Sequence, residues 1–182
     1  MPSDPSRSLH FANDFVISCG TVPLDIKRKK VLLIRWQKTE EIFLPKGRKN
    51  FNESMQDAAI RETYEETGYR ARILSINIRT LATGGADDQD FSGTEPIAVT
   101  QREHEGKRKI IFWFAAEVDS NKPCEEGTQQ EGEDFESIWL ESANAASSLT
   151  FEDDRKLLEM VLSKVFQGGS DMKPLHVEMR SP

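Results

Sequence analysis

The residues that could do chemistry crowd between Leu44 and Tyr69, LPKGRKNFNESMQDAAIRETYEETGY. Gly47 is followed after five residues by Glu53, after seven more by Arg61-Glu62, and then by Glu65-Glu66 and Gly68. On a helix, Glu62, Glu65 and Glu66 stand three and four apart and can project to one side. Like charges at that spacing repel by roughly a few tenths of a kcal/mol per exposed pair. A cluster this dense is an arrangement for binding a cation. Hard carboxylate oxygens suit Mg²⁺ or Mn²⁺, and no His or Cys cluster offers zinc its ligands. Arg61, four before Glu65, can pair with a carboxylate and orient it. Taken alone, Glu-Thr-Tyr-Glu-Glu is best explained as a solvated acidic helix face. The full set is not: seven specified residue types at fixed spacing arise by chance on the order of 10⁻⁸ per start position.

This constellation resembles the signature of the Nudix hydrolases, G-x5-E-x7-R-E-U-x-E-E-x-G-U, where U is a bulky apolar residue. Gly47, Glu53, Arg61, Glu62, Glu65, Glu66 and Gly68 match every invariant position. Thr63 and Tyr69 fill the two U positions and depart mildly, since neither is aliphatic. The resemblance implies an α/β (α+β) fold, a sandwich of mixed β-sheet between helices. It implies hydrolysis of a pyrophosphate linkage by water attack at phosphorus, with Mg²⁺ (or Mn²⁺) as cofactor. Carried over residue by residue, Glu62 and Glu66 are the main metal ligands, and Glu65 is a ligand or the base. Glu53 is an additional or outer ligand. Arg61 orients the glutamates, and Gly47 lets the backbone approach the metal.

Residues outside that signature bear on the substrate. Leu44-Pro45-Lys46-Gly47 resembles the branch that cleaves dinucleoside polyphosphates, and fungal enzymes that also take diphosphoinositol polyphosphates. Lys46, Arg48 and Lys49 put three cations beside the acidic helix, which suits a substrate with several phosphates. A loop that merely balances the helix accounts equally well for Arg48 and Lys49. Lys107, Arg108 and Lys109 open a late strand whose start supplies a polyphosphate-binding cation in similar hydrolases, so Lys107 and Lys109 are candidates. At least one of the three should be an ordinary charged hairpin end. Arg35, with Lys38, is a weaker candidate. Glu133 stands six residues before Trp139, as a glutamate does in dinucleoside tetraphosphate hydrolases, and could serve as general base, in competition with Glu65, or as a metal ligand. Its neighbours Glu131, Asp134 and Glu136 also allow a plain solvated acidic loop. His10, His104 and His176 show no catalytic spacing. The other readings are a Nudix specificity for ADP-ribose, nucleotide sugar, oxidised nucleotide or capped RNA, and a non-catalytic nucleotide-binding module, which the intact glutamates disfavour.

The elements that must position these groups follow from the apolar patterning. Residues 15–22 (FVISCGTV) and 31–36 (VLLIRW) read as buried strands. Ile42-Phe43-Leu44 is a short extended piece stopped by Pro45. The helix should run over 52–67, capped by Asn52 and, in the left-handed conformation, by Gly68. Extended structure resumes over 69–78. Residues 83–100, rich in Gly, Asp and Ser, form a loop too long for a hairpin. Residues 109–118 (KIIFWFAAEV) are the central strand; the three Trp residues are expected in the core rather than as base-stacking platforms, and alternation lets one face of Phe112-Trp113-Phe114 line the pocket. Residues 119–133 are an acidic loop, 135–140 a short strand, and 151–166 an amphipathic helix. Strands and two helices in this irregular order suggest a mixed sheet between helices. The division expected is a leader over 1–12, one hydrolase domain over 13–167 and a tail over 168–182.

Composition sets the outer limits. The chain has 182 residues, enough for one self-sufficient core. The net charge of −7 argues against a general binder of nucleic acid or anionic membrane. No stretch approaches a membrane span. The partner expected is therefore a small phosphorylated molecule, whose charge bound cations can offset. Cys19 and Cys124 show no disulfide framework and suit a reducing compartment. The N-terminus has no apolar secretory signal, so the cytoplasm is expected. The nucleus is the alternative only if Lys27–Lys30 is more than a charged turn. Nothing in the chain signals an oligomeric state.

Overall fold

A computed structural model of the chain describes residues 8–78, 80–81, 92–104 and 106–166. The first seven residues of the expected leader, residues 83–91 of the expected 83–100 loop, His176 and the tail over 168–182 lie outside these. Among the described residues ten strands and three helices follow in the order β1 (Phe15–Asp25), β2 (Lys30–Trp36), β3 (Glu41–Phe43), β4 (Lys46–Arg48), α1 (Met55–Thr67), β5 (Ala71–Ile73), β6 (Ile76–Asn77), β7 (Ser92–Gly93), β8 (Ala98–His104), β9 (Lys107–Val118), β10 (Phe135–Glu141), α2 (Ser142–Ser148) and α3 (Glu152–Phe166).

The sheet is mixed, as expected. β1 runs parallel to β9 from Phe15 opposite Arg108 to Leu24 opposite Glu117. Every other pairing is antiparallel. The strand order is β10-β2-β1-β9-β5, with β3 on β2, β4 on β1 and β8 on β9. β1 bonds to β2 only near their shared turn, at Leu24–Val31 and Asp25–Lys30. Its earlier half, Ser18 to Gly20, bonds instead to β4. The two long strands thus part, and the residues around Gly47 fill the opening.

Alternation along β9 sorts the two layers. Ile111, Trp113 and Ala115 face the larger core with Leu157, Leu158, Val161 and Val165 of α3. Phe112 and Phe114 face Cys19, Ala58 and Ala59 under α1. Each fully buried aliphatic side chain contributes about 1.5–3 kcal/mol. Those four α3 residues therefore far outweigh the solvent-screened, exposed Lys156–Glu152 pair on the same helix. Trp113 is wholly buried, its indole N–H donating to Thr100 Oγ1 at 3.0 Å, so it belongs to the core.

Four sequence expectations need correction. Helix α1 begins at Met55, and its cap is Ser54, whose Oγ accepts the Asp57 N–H. Asn52 instead takes a left-handed turn, φ 59°, a conformation its short polar side chain tolerates. Pro45 does not end extended structure, because β4 follows it. Its lack of an N–H is no obstacle there, since it lies between the short strands β3 and β4. Helix α2 is additional: its sequence, SANAASS, has no apolar period to betray it. The stretch expected as one loop over 83–100 contains β7 and the start of β8, a strand that is polar from Thr100 onward.

Candidate active site

Helix α1 lies across β1 with Ala58, Ala59, Glu62, Thr63, Glu66 and Thr67 buried. Thr63 explains its own departure from an aliphatic residue. Its Oγ1 lies 2.7 Å from Thr21 Oγ1 on β1 and donates to Ala59 O, so a buried hydroxyl is satisfied. Tyr69 packs edge-on against Trp139, centroids 5.4 Å apart. Gly68 caps the helix at φ 72°. A Cβ there would stand 2.4 Å from Glu125 O, so glycine is required twice over.

Arg61 ties the acidic residues together. Its Nε and Nη2 donate to the two oxygens of Glu53 at 2.8 and 3.0 Å. Its Nη1 donates to Glu62 Oε1 at 2.8 Å and Glu65 Oε2 at 2.7 Å, and Nη2 also reaches Arg48 O at 2.8 Å. A planar fork with five donors can do this; an ammonium cannot. Glu53 also accepts the Asn50 N–H at 2.8 Å. The Arg61 bonds, opposed by burial and aided by that N–H, hold its carboxyl below the usual range.

Glu62 and Glu66 are almost out of water, 4% and 3% exposed. Burial raises the Glu62 carboxyl, against the bond from Arg61 and with Glu65 and Glu133 pushing the same way. Burial pushes Glu66 up to about 8, although the charge of Lys46 and its N–H, donating to Oε2 at 2.7 Å, act against it. Gly47 abuts Glu62 directly: a Cβ there would fall 1.8 Å from Glu62 Oε2. Among the described residues no three acidic, His or Cys side chains already converge on one point. Arg61 and the Lys46 N–H hold the glutamates. Even so, an all-oxygen set with two buried carboxyls, each unfavourable as a lone anion, suits a hard dication. The residues fit Mg²⁺ or Mn²⁺, which Glu62 and Glu66 would hold, with Glu65 and Glu53 beside them.

The loop after β9 brings in further groups. The last carbonyls of a helix have no partner within it. Here the loop's Thr128 Oγ1 donates to Glu65 O, its Cys124 Sγ, together with Ser137 Oγ of β10, to Thr67 O, and its Glu125 N–H to Gly68 O. So anchored, the loop sets Gln130 Nε2 3.2 Å from Glu65 Oε2. Glu133 accepts the Gln130 N–H at 3.1 Å and lies close enough to raise the pKa of both Glu62 and Glu66. Gln130 went unforeseen, since nothing in EGTQQEGED distinguishes it.

The basic candidates divide. Lys46 and Lys109 are half-buried and, with exposed Arg48, lie within electrostatic reach of one another near Glu66. Lys107 is exposed at the start of β9. Arg108 is drawn to His10 and to Glu103 at 3.6 Å. Lys49 Nζ bonds within its own turn, to Asn50 O at 3.0 Å. Arg35 is engaged elsewhere, by Glu136 at 3.0 Å and Glu40 at 3.8 Å. It pairs across strands with Glu136 rather than joining the glutamate cluster. Arg102 on β8 was not foreseen and stands opposite Lys109.

With this geometry in place, comparison with known proteins decides the family. The sequence model of the NUDIX domain matches residues 15–161. The chain belongs to the NUDIX domain family. Nudix hydrolases use divalent metal ions and act on small phosphorylated substrates, and the chain is a Nudix-type pyrophosphohydrolase. Solved structures share the fold at low identity. A C. elegans Ap4A hydrolase binary complex is 20% identical with a TM-score of 0.59, over 85% of this chain and 98% of its own. A Nudix hydrolase from Nitrosomonas europaea is 15% identical at 0.56, covering 82% and 89%. One from Clostridium perfringens is 18% identical at 0.56, covering 82% and 97%. Among the described residues no helix is long and apolar enough to cross a membrane.

Proposed function

We propose that this Nudix domain is an Mg²⁺- or Mn²⁺-dependent hydrolase that cuts a pyrophosphate linkage in diphosphoinositol polyphosphates or dinucleoside polyphosphates. The observation that carries the reading is the junction at Lys46. Its N–H holds the buried carboxylate Glu66, while its side chain stands among cations that suit a run of phosphates. The similarity in fold to a C. elegans Ap4A hydrolase is in keeping with it. When bound, the divalent ion would offset charge on the transferring phosphoryl group and make bound water easier to deprotonate.

The chain's own residues do the rest. Glu62 and Glu66 would hold the ion. Glu65, or Glu133 across the Gln130 bridge, takes the proton from the attacking water. The new bond joins that water oxygen to phosphorus, and the bridging oxygen leaves with the P–O electron pair. Arg61 keeps the carboxylates aimed, and Lys46, Arg48 and Lys109 bind phosphate oxygens. Cys19 and Cys124 are both free thiols, which supports the cytoplasm as the proposed compartment.

The test offers the purified protein, with Mg²⁺ or Mn²⁺, diphosphoinositol pentakisphosphate, diadenosine polyphosphates, ADP-ribose and oxidised dGTP, and follows phosphate products. Turnover of either polyphosphate class above the others is expected. Turnover of ADP-ribose alone would overturn the substrate reading.

A further inference from the structure

Lys46 also connects the site to a set of side chains that the glutamate chemistry does not use. Its ammonium lies over the Phe43 ring, 5.0 Å from the centroid. Phe43 packs on Phe151, centroids 6.4 Å apart. The Arg102 guanidinium lies over Phe151 at 5.8 Å. Arg102 in turn faces Lys109 in the β8–β9 register. Directly opposed side chains on an antiparallel pair share a face with Cβ atoms about 4.5–5.5 Å apart, and like charges there are destabilising. Lys46, Arg102 and Lys109 thus form an arc of three cations along a floor of two aromatic rings.

The arc is electrostatically incomplete. Among the described residues none of these three makes an ion pair within 4.0 Å, whereas Arg28, Arg35, Arg61, Arg70 and Arg72 all do. A counter-charge stands behind it, since the buried Asp154 carboxylate feels Arg102 and Lys46. Burial, aided by Lys46, Arg102 and Arg48 and opposed by Glu66, holds the Lys109 ammonium down to about 8. Three cations kept together, partly out of water and without an anion in direct contact, repel one another, and Asp154 and Glu66 offset that only in part. A ligand carrying several negative charges removes that repulsion, and a guanidinium fork matches phosphate oxygens two at a time.

We propose that Arg102 is a specificity-determining residue that, with Lys46 and Lys109, grips a phosphate group beyond the linkage being cut. The inference rests on the polyphosphate reading above, and it explains what would let this domain prefer a substrate with more than two phosphates. Phe43 and Phe151 strengthen the grip by shielding one side of the cations from water. Arg102 touches no scissile atom in this arrangement, so its loss weakens binding and spares the chemical step.

The experiment compares wild type, Arg102→Gln, Arg102→Lys and Arg72→Gln. Arg72 is an exposed arginine of β5 paired with Glu117, so its replacement removes the same charge elsewhere. Affinity for inorganic tripolyphosphate is measured by titration calorimetry, and KM and kcat on diadenosine tetraphosphate and diphosphoinositol pentakisphosphate. Arg102→Gln should weaken tripolyphosphate binding and raise KM by about 10–100-fold, with kcat within about threefold. Arg102→Lys should recover part of that loss, and Arg72→Gln should change neither quantity. Unchanged tripolyphosphate affinity in Arg102→Gln overturns the proposal. So does a loss confined to kcat and thermal stability, which marks a structural role. If the wild type turns over ADP-ribose alone, the substrate reading falls, and the tripolyphosphate titration still decides Arg102 by itself.

Discussion

Replacing Gly47 by alanine probes the metal-site assignment through a single methyl group. The Cβ would stand 1.8 Å from Oε2, 2.1 Å from Cδ and 2.5 Å from Oε1 of Glu62. Ordinary contact begins at 3.4 Å, so the carboxylate must retreat by about 1.6 Å. Gly47 is not among the positive-φ glycines, so alanine meets no backbone strain and the effect is steric alone. The Glu62 side chain has nowhere easy to go, being 5% exposed and bonded to Arg61 at 2.8 Å. A misplacement of about 1 Å can slow an enzyme about 10²-fold. Gly47→Ala should therefore lower kcat/KM by roughly 10²–10³-fold. Losing the Arg61–Glu62 bond should cost about 1.5–3 kcal/mol, a Tm drop on the order of 3–12 °C for a chain of this size. The protein thus remains folded in the assay, a phosphate-release measurement at saturating Mg²⁺ with Tm recorded alongside. Adding Gly47→Ala to Glu62→Gln should do little further harm, because both act through one carboxylate. Activity within tenfold of wild type, or a fully additive double mutant, would refute the assignment of Glu62.

Two further predictions separate metal binding from folding. Glu66→Gln keeps an acceptor for the Lys46 N–H and removes a charge that burial disfavours. It should leave the metal-free Tm within a few degrees, lower the rate by orders of magnitude, and abolish the Mg²⁺-dependent rise in Tm. That rise corresponds to about 2.7 kcal/mol at 100 times Kd, and its survival with full activity would remove Glu66 from the ligand set. Away from the site, buried Asp25 accepts hydrogen bonds from the N–H and Oγ of Ser120 and the N–H and Nη1 of Arg28. Burial would raise its carboxyl, but these bonds outweigh it and set the pKa below the ordinary value. A depressed folded pKa means stability fully present above the unfolded value of about 3.9 and lost as pH falls through the lower folded one. In urea titrations the deficit of Asp25→Asn against wild type should be widest near neutrality and narrow below about pH 4. A constant deficit down to about pH 3 would contradict it.

How far the site could be read from the sequence follows from how local its determinants are. Glu62, Glu65, Glu66 and Arg61 share one helix, so spacing alone set their relation, and the structure bonds Arg61 to Glu62 and Glu65 as that spacing allows. The fold followed from strands with strong apolar character: β1, β2, β9 and β10 begin and end within three residues of expectation. What stayed hidden was local but weak, or distant. β4 is three residues, Lys-Gly-Arg, whose basic character reads as loop. Asn52 and Ser54 are both good caps, and only the turn geometry chose between them. Gln130 reaches Glu65 across 65 positions. Arg102 is set against Lys109 by a register no periodicity encodes. Arg35 looked available because its partners, Glu136 and Glu40, arrive from other segments.

The short strand β4 couples these two kinds of information. Its register places Lys46 opposite Gly20 and Gly47 opposite Cys19 on β1. The fit at Gly20 is tight: a Cβ there would lie 2.6 Å from Lys46 Cβ and Pro45 O and 2.7 Å from the Trp113 ring. One backbone segment, wedged where β1 and β2 part, therefore sets three things at once. It hands an N–H to Glu66, leaves room for Glu62, and aims the Lys46 ammonium over Phe43 toward the cation arc. Chemistry and recognition are in this sense not separable modules. A displacement of β4 too small to unfold anything would spoil the carboxylate geometry and the phosphate grip together. A change at Arg102, by contrast, would reach only the proposed grip. The reason lies in packing: close-packed interiors transmit a shift rather than absorb it, and Lys46–Gly47 is where the two sets of side chains share a backbone.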